Sequence, residues 1–455
     1  MSLLCDRSNG TGRRVVIIPL PYLGHMTPMF RLAAALHARG HAITVLHTEL
    51  HAPDPASYPS DYRFVGVGVP AAELPAASED IAAFLVALND SCAAAFKDRL
   101  AAMLAAEGSV CCVVTDVVWF SAQAAARELG VPALALMTSS AASFRTFMAY
   151  PALLANGHLP YDESRRDHLV EELPPFRVRD LQRIDTSSLD TFAGLLERFV
   201  DGARRSSGLI LNTFHSIEDQ EVRNIRDGLA VPVFPVGPLN KISSSPPPLP
   251  QDQDQDQDCL ILDWLDTKPT GSVLFVSLGS VATVDAQELA ELARGLADTG
   301  HPFLWVVRPG MIRGGPPDLD LELPADRGMV VPWAPQEEVL RHAAVGAFLT
   351  HSGWNSTVEA LSEGVPMACL PCFGDQLGTA RYACHVWRVG VEVQGIKRDT
   401  VRSAIHRLMG PGAIEEGKEI RERAHDLKSK VGQSIAQGGS SHMALLGLLE
   451  KIACF

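Results

Sequence analysis

The residues best suited to chemistry lie in one stretch, Trp333 to Gln376, with the sequence WAPQEEVLRHAAVGAFLTHSGWNSTVEALSEGVPMACLPCFGDQ. Aromatic, amide, imidazole, hydroxyl and carboxylate side chains stand there at the ends of short apolar runs. Glycines occur where the backbone would have to approach a ligand closely. This combination is typical of a pocket for a nucleotide joined to a sugar.

The turn around His351 can bind an anion. Gly353, Asn355 and Ser356 begin a predicted helix, whose free N–H groups and dipole attract a group such as diphosphate. His351 can add a ring N–H, and Ser280, after a neighbouring predicted strand, can add a hydroxyl. The pattern therefore predicts diphosphate binding without a metal, and stabilisation of a departing diphosphate.

The same stretch offers groups for the rest of a nucleotide sugar. Trp333 presents a face on which a base can stack, and Gln336 has the donor and acceptor that a uracil edge requires. Glu359 could accept hydrogen bonds from ribose hydroxyls. The spacing S-x-x-E from the serine three positions earlier also fits a helix capping box, and spacing alone leaves both interpretations open. Asp375 and Gln376 could hold hydroxyls of a hexose.

A second set of polar residues lies far upstream and follows apolar, β-branched runs that predict parallel strands: His25, Asp116 and Thr138. Because the carboxyl ends of parallel strands meet at one edge of a sheet, we expect these side chains to converge. An aspartate that orients a histidine makes a general base. A surface histidine and a helix-capping aspartate are the structural alternatives.

Alternation of apolar strands with amphipathic helices occurs in both halves of the chain, which predicts an α/β protein with two doubly wound parallel sheets. Between them, residues 241–258 (KISSSPPPLPQDQDQDQD) are proline-rich and then polar, and are predicted to be a flexible linker. Two facing sheets would make a cleft. Neither a GxGxxG nor a GxxxxGK[ST] motif occurs, which disfavours dinucleotide cofactors and purine-nucleotide phosphotransfer.

Composition narrows the possible partners. A chain of 455 residues is too long for a single ordinary core, and its formal net charge of −14 disfavours nucleic acid and anionic membranes. The nine cysteines are odd in number and scattered, as expected of free thiols in a reducing compartment. No signal-peptide pattern or run of membrane-spanning length is present, so we expect a cytoplasmic protein.

The stretch from Trp333 to Gln376 resembles the signature box of plant family 1 UDP-sugar-dependent glycosyltransferases, through W-x-P-Q, H-x-G-W-N-S-x-x-E and the closing D-Q. PLPYLGHMTPMFRLA and LDWLDTKPTGSVLFVSLGS resemble the histidine turn and the second-domain start of that family. The chain is most similar to grass glucosyltransferases that act on benzoxazinoids, and more loosely to those for cytokinins and other small hormones; flavonoids also remain possible acceptors. Leu23 and Thr27 depart from the common glutamine and asparagine, which leaves the acceptor shape in doubt.

The resemblance implies a GT-B fold and a role for each matching residue. His25 would be the general base and Asp116 its partner. The donor UDP-glucose would be held by Ser280, Trp333, Gln336, His351, Gly353, Trp354, Asn355, Ser356, Glu359, Asp375, Gln376 and Thr138. The closing Gln376 is the residue of glucose users. For the acceptor we predict Leu23, Trp119, Phe120, Ser139, Ser143, Phe144, Phe147, Phe192, Phe373 and Gly374, with Phe84 as a further candidate.

The implied organisation is an acceptor domain in residues 1–240, a donor domain in residues 259–435 and a final helix in residues 436–455 that returns to the first domain. The implied reaction is inverting transfer of glucose to a hydroxyl or nitrogen of a small lipophilic metabolite, with no metal and no cofactor beyond the donor, by a monomer. A UDP-sugar epimerase and a non-catalytic small-molecule-binding relative are the alternatives.

Overall fold

A computed structural model of the protein describes residues 13–68, 74–77, 80–107, 110–183, 188–243, 255–313, 327–410 and 415–455. Within them the chain forms two β-sheets whose paired strands are all parallel. Helices connect most of the successive strands and cover the sheets, as is usual for parallel crossovers. The predicted α/β class is confirmed.

The first sheet has seven strands in the order β3-β2-β1-β4-β5-β6-β7. They are β1 (Arg14–Ile18), β2 (Ala42–Thr48), β3 (Arg63–Val67), β4 (Val110–Asp116), β5 (Ala133–Met137), β6 (Leu209–Leu211) and β7 (Val233–Pro235). Both faces of β1 are buried, because Val15 and Ile17 enter one apolar cluster while Val16 and Ile18 enter another. This two-sided burial explains why the strand is a continuous apolar run.

The helices of this half are α1 (Leu23–His37), α2 (Ile81–Glu107), α3 (Phe120–Glu128), α4 (Ala141–Ala155), α5 (Leu189–Arg205), α6 (His215–Leu229) and α7 (Leu239–Ile242). Helix α1 begins directly after the turn that follows β1. Its first turn therefore lies at the carboxyl edge of the sheet, where open α/β sheets bind ligands.

The second sheet has six strands in the order β10-β9-β8-β11-β12-β13. They are β8 (Val273–Ser277), β9 (Phe303–Val306), β10 (Gly328–Val331), β11 (Val345–Thr350), β12 (Met367–Cys369) and β13 (Gly390–Glu392). The helices are α8 (Gln255–Asp266), α9 (Ala286–Asp298), α10 (Gln336–Arg341), α11 (Trp354–Glu363), α12 (Gln376–Arg381), α13 (Arg398–Met409), α14 (Glu416–Ile435) and α15 (Ser440–Ala453). A π-helical turn, Tyr382–Val386, follows α12.

The structure adds strands that the sequence pattern did not predict, namely β3, β6, β7 and β13. Three of them have only three residues each, which is too short to show a period of two. The linker predicted at residues 241–258 is narrower, because α7 ends at Ile242 and α8 begins at Gln255. Residues 244–254 of that linker lie outside the described residues, and the domain boundaries stay a prediction.

Three aromatic side chains of the second half donate hydrogen bonds to the first half. The indole of Trp354 donates to the Asn212 carbonyl at 2.9 Å, and that of Trp387 to the Ile217 carbonyl at 3.0 Å. The Tyr382 hydroxyl donates to Glu221 at 2.6 Å. Such amphipathic rings bury apolar area and still satisfy their polar atoms, so they fix the two halves against each other.

The last helix, α15, packs against the first sheet. Leu445, Leu448 and Ile452 belong to the same apolar cluster as Val15 and Ile17 of β1. Among the described residues, none of the helices combines the length and the apolar composition that a bilayer crossing needs.

We expect Leu448→Ala to lower the free energy of unfolding by about 2–5 kcal/mol, because Leu448 is fully buried and truncation leaves a cavity. Leu446→Ala on the same helix is the matched control, since Leu446 is 36% exposed. Urea or thermal unfolding followed by circular dichroism measures both. Equal shifts for the two variants would contradict the packing of α15 on the first sheet.

Candidate active site

The strands of both sheets end at one cleft, which contains a cavity of about 1130 Å³. Its walls include His25 and every residue predicted to hold the donor: Thr138, Ser280, Trp333, Gln336, His351, Gly353, Trp354, Asn355, Ser356, Glu359, Asp375 and Gln376. Residues more than three hundred positions apart in the chain thus line a single space, as facing doubly wound sheets predict.

His25 lies in the first turn of α1 and contacts the buried carboxylate at the end of β4. Its Nδ1 is 2.7 Å from Asp116 Oδ2 and 2.9 Å from Thr138 Oγ1. Asp116 also accepts a hydrogen bond from the Val118 backbone N–H at 3.0 Å. Because a carboxylate only accepts, Nδ1 carries the proton towards Asp116, which leaves Nε2 as an unprotonated base.

Two opposing effects set the protonation of His25. Burial lowers its pKa, but the charge of Asp116, the hydrogen bond with Asp116 and the charge of Asp375 raise it, so the pKa lies above its ordinary value. A base with a raised pKa accepts a proton more readily. The Asp116 carboxylate therefore orients His25 and also makes it more basic.

The predicted anion site lies where β11 meets α11. Gly353 is the N-cap residue of α11, and the helix runs for ten residues with its N-terminus at the cavity wall. His351 packs so closely that a Cβ on Gly353 would lie 2.3 Å from its Nε2, and one on Gly279 2.5 Å from its Cε1. Glycine is required at both positions for the imidazole to fit.

His351 is uncharged near neutral pH. Burial and the nearby charge of Arg308 lower the pKa of His351 to about 4. Its Nδ1 is buried without a hydrogen-bond partner among the described residues. The neutral ring can thus serve a ligand as a hydrogen-bond donor, while positive charge at this wall comes from Arg308 and the α11 N-terminus.

The sequence did not predict Arg308. It follows β9 and lines the cavity, and its Nε donates to the Gly279 carbonyl at 3.0 Å, with a further hydrogen bond to the Ala282 carbonyl. It holds the loop that carries Ser280. A basic residue after a strand in the second sheet was the available signal.

The residues predicted for the base and the ribose form one hydrogen-bonded group. Gln336 Nε2 donates to Ser356 Oγ at 2.9 Å and to Glu359 Oε2 at 2.7 Å. Glu359 makes no capping box, because Gly353 is the N-cap and the carboxylate points to Gln336 and to Arg31 on α1. The capping interpretation is therefore not the one that the fold adopts.

Of the two predicted hexose residues, Asp375 lies close enough to His25 for their charges to interact. Ser139 donates a hydrogen bond to Asp375, and burial raises the pKa of Asp375, although Ser139 and the charge of His25 lower it. Gln376 Oε1 accepts from the backbone N–H groups of Cys372 at 2.9 Å and Phe373 at 3.1 Å. Its amide nitrogen is thereby left for a ligand.

The predicted acceptor residues divide into two groups. Those that line the cavity are Leu23, Ser139, Ser143, Phe147, Phe192 and Phe373. Those that do not are Trp119, Phe120, Phe144 and Gly374, and Phe84 is also absent from the lining. Trp119 and Phe144 are fully buried in the core, and the Trp119 indole donates to the Pro19 carbonyl at 3.0 Å. These two side chains therefore pack in the core and do not reach the cavity wall.

The structure also adds lining residues that the sequence did not single out. Apolar ones near His25 are Tyr22, Ile81, Leu85, Val117, Val118, Leu195, Leu196 and Phe199, and polar ones are Arg31, Gln182 and Glu337. The apolar residues come from the turn after β1, α2, the turn after β4 and α5. Helical spacing shows that such residues are buried, but it does not distinguish a cavity wall from solid core.

Residues 252–416 match the family model described as UDP-glucoronosyl and UDP-glucosyl transferase. The DIMBOA UDP-glucosyltransferase BX8 of Zea mays is 52% identical over 96% of this chain and 97% of its own length. BX9 of Zea mays, with the same description, is 54% identical over 94% of this chain and 93% of its own.

The chain belongs to the UDP-glycosyltransferase family.

The glycosyltransferase also shares its architecture with solved relatives. The structure of Phytolacca americana UGT2 complexed with UDP-2fluoro-glucose and pterostilbene is 30% identical, with a TM-score of 0.79, and covers 97% of this chain and 99% of that one. The predicted GT-B fold and the predicted family are therefore confirmed, and the glycosyltransferase is an enzyme of the UDP-glucosyltransferase type.

In this glycosyltransferase we expect Asp116→Asn to act on the pH profile as well as on the rate. The acid limb of kcat/KM reports protonation of His25, and the raised pKa of His25 depends on the Asp116 charge. Without that charge the pKa falls, so the acid limb moves to lower pH while the plateau drops by about 10²-fold or more.

The matched control is Asp61→Asn, which alters the pairing of Asp61 with His37, 2.7 Å apart. His37 is the last residue of α1, and neither residue of this pair lines the cavity. The pH profile of Asp61→Asn should match that of the unsubstituted enzyme. An Asp116→Asn profile with an unmoved acid limb would contradict the pairing.

Proposed function

We propose that the enzyme transfers glucose from UDP-glucose to a hydroxyl of a small lipophilic plant metabolite, with inversion, giving a β-glucoside and UDP. One observation carries the proposal: His25, oriented by Asp116, lines the same cavity as the residues proposed to bind the nucleotide sugar. Asp375, which is proposed to bind the sugar, lies near enough to His25 for its charge to raise the pKa of His25.

Proton transfer is the task of His25. Its Nε2 accepts the acceptor hydroxyl proton as the oxygen attacks C1 of the glucose from the face opposite the diphosphate. Asp116, hydrogen-bonded at 2.7 Å, stabilises the imidazolium that forms. One displacement at C1 reverses its configuration, so an α-linked donor yields a β-linked product.

The departing UDP gains negative charge, which the wall opposite His25 can stabilise. The α11 N-terminus supplies backbone N–H groups, His351 a neutral ring donor, and Arg308 a positive charge. These fixed dipoles and charges serve the purpose that a divalent cation serves in other transferases. We therefore propose that no metal is required, so activity should persist in excess EDTA.

The donor assignment rests on the groups next to Trp333. The Trp333 ring lines the cavity as a stacking face, and its Nε1 is buried without a partner among the described residues. Glu359 is proposed to accept hydrogen bonds from the ribose. Asp375 is proposed to accept hydrogen bonds from the hexose, and Gln376 to donate one to it. Glucose is favoured because both Zea mays relatives are named UDP-glucosyltransferases. Gln376, with its oxygen used by the backbone, offers an N–H to a sugar hydroxyl.

The acceptor is proposed to be a benzoxazinoid of the DIMBOA type. The support is twofold: the names of the two Zea mays relatives at 52% and 54% identity, and the apolar wall beside His25. That wall includes Phe147, Phe192 and Phe199. A flat aromatic acceptor with one acidic hydroxyl would bury its rings there and direct its oxygen to His25. An epimerase would need no such wall.

The test is incubation of the enzyme with UDP-glucose and DIMBOA, with UDP release, product mass and the anomeric configuration of the product measured. We expect a β-glucoside. Sugar isomerisation without acceptor, or an α-linked product, would overturn the proposal. Substitution of hydroxybenzoates or flavonols for DIMBOA separates the acceptor assignment from the reaction type. Monomeric state and cytoplasmic location stay predictions from the sequence.

We expect His25→Ala to lower kcat by about 10²-fold or more, the usual contribution of a positioned base, with little change in affinity for UDP. His37→Ala is the matched control, since His37 lies on the same helix and is 31% exposed outside the cavity. Stopped assays of glucoside formation and UDP calorimetry provide the two readouts. Undiminished turnover of His25→Ala on an alcohol of weak acidity would end its assignment as base.

A further inference from the structure

One basic residue of the first half reaches the proposed donor side of the cleft. Arg31 lies on α1, two turns after His25, and is only 2% exposed, yet it lines the cavity. Its Nη1 and Nη2 are 3.2 and 3.1 Å from Glu359 Oε1. Nη2 also donates a hydrogen bond to Glu337. A single guanidinium thus bridges carboxylates on α11 and α10.

Glu359 is held from two sides. Oε1 accepts from Arg31, and Oε2 accepts from Gln336 Nε2 at 2.7 Å. Oε1 already accepts two hydrogen bonds from Arg31, so Oε2 keeps the further lone pair, which suits a hydroxyl of the ribose diol. A carboxylate with this fixed orientation would bind such a diol without losing freedom on binding.

The arrangement requires a cation, since the buried Glu359 and the half-buried Glu337 repel each other. Burial raises the pKa of Glu359, Arg31 lowers it, and the charge of Glu337 raises it again. The other cations nearby serve Glu363, which pairs with Lys241, Arg341 and Lys428. Among the described residues, Arg31 is the basic side chain that contacts Glu359.

We propose that Arg31 is a positioning residue for the donor. Because it bridges Glu359 and Glu337, it keeps the Glu359 side chain ionised and correctly oriented for the ribose hydroxyls. The inference rests on the proposed role of Glu359. It assigns part of the donor affinity to the half of the protein that carries the acceptor site. A second contact between the halves supports this coupling, because Asn355 Nδ2 donates to the Gly24 carbonyl at 2.8 Å.

The first test is the affinity for UDP of Arg31→Gln, measured by calorimetry, together with KM for UDP-glucose and kcat. A hydrogen bond between charged groups is lost, so we expect the affinity for UDP to fall about tenfold or more. KM for UDP-glucose should rise by a similar factor, with a smaller change in kcat. A lowered kcat with unchanged UDP affinity and KM would indicate a merely structural role and overturn the proposal.

The second test is the pH dependence of UDP affinity between pH 6 and pH 8. Without Arg31 the pKa of Glu359 rises further, so UDP affinity should increase more steeply with pH than in the unsubstituted enzyme. The groups that face Glu359 are Arg31 from α1, Gln336 and Glu337 from α10, and Ser356 on its own helix. Arg31→Gln/Glu337→Gln removes the second carboxylate and should flatten this dependence. An equally steep dependence in both variants would contradict the bridge.

Arg31→Lys is the conservative variant and carries the test if Arg31→Gln does not fold. Lysine keeps the charge but cannot bridge both carboxylates with planar geometry, so we expect an intermediate loss of UDP affinity and the same pH dependence as in the unsubstituted enzyme. Affinity equal to that of the unsubstituted enzyme would overturn the bridging role.

Glu359→Gln separates this inference from the proposed function. If Glu359→Gln weakens UDP binding and the Arg31 variants do not, the inference about Arg31 fails alone. If Glu359→Gln binds UDP normally, the assignment of Glu359 to the ribose fails, and the inference fails with it.

Discussion

A carboxylate that has lost contact with water needs hydrogen-bond donors, and the donors that the described residues give to the fully buried Asp116 come from three turns at one edge of the first sheet. The turns after β4, β5 and β1 supply the Val118 N–H, the Thr138 hydroxyl and the His25 ring. Satisfying this charge therefore fixes the relative positions of those turns. The base is oriented by the same contacts, and the turn that carries it then meets the second half at Asn355.

The cleft has to bind a doubly negative nucleotide sugar although the protein itself is acidic. The formal net charge of −14 would repel a nucleotide sugar at long range, so attraction must come from fixed local groups. Positive potential at the diphosphate wall comes from Arg308 and the α11 N-terminus, while His351 stays neutral. The acidic side chains in the cleft are themselves held by donors, as Ser139 holds Asp375. Fixed local donors and charges, and not the net charge of the protein, therefore attract the ligand.

Residues at the ends of strands could be placed from the sequence, because a parallel sheet brings all its carboxyl ends to one edge; Asp116 is an example. Arg31 could not, since its long side chain reaches Glu359 only when one half packs against the other. Arg308 follows β9, so its place after a strand was a signal present in the sequence. Trp119 and Phe144 show the converse limit, because helical spacing and strand neighbours mark them as buried but not whether they face a cavity. The short strands β6, β7 and β13 were missed because three residues show no periodicity.

Gln376 joins two kinds of selectivity. Its side-chain oxygen accepts hydrogen bonds from the backbone of Cys372 and Phe373, and the Phe373 side chain is 42% exposed at the cavity wall. A residue of another shape at position 376 would meet a different part of the sugar and would also release the loop that carries an aromatic ring to the cavity. Evolution or engineering of sugar preference at this position would consequently alter which aglycones fit, so the two preferences are expected to change together.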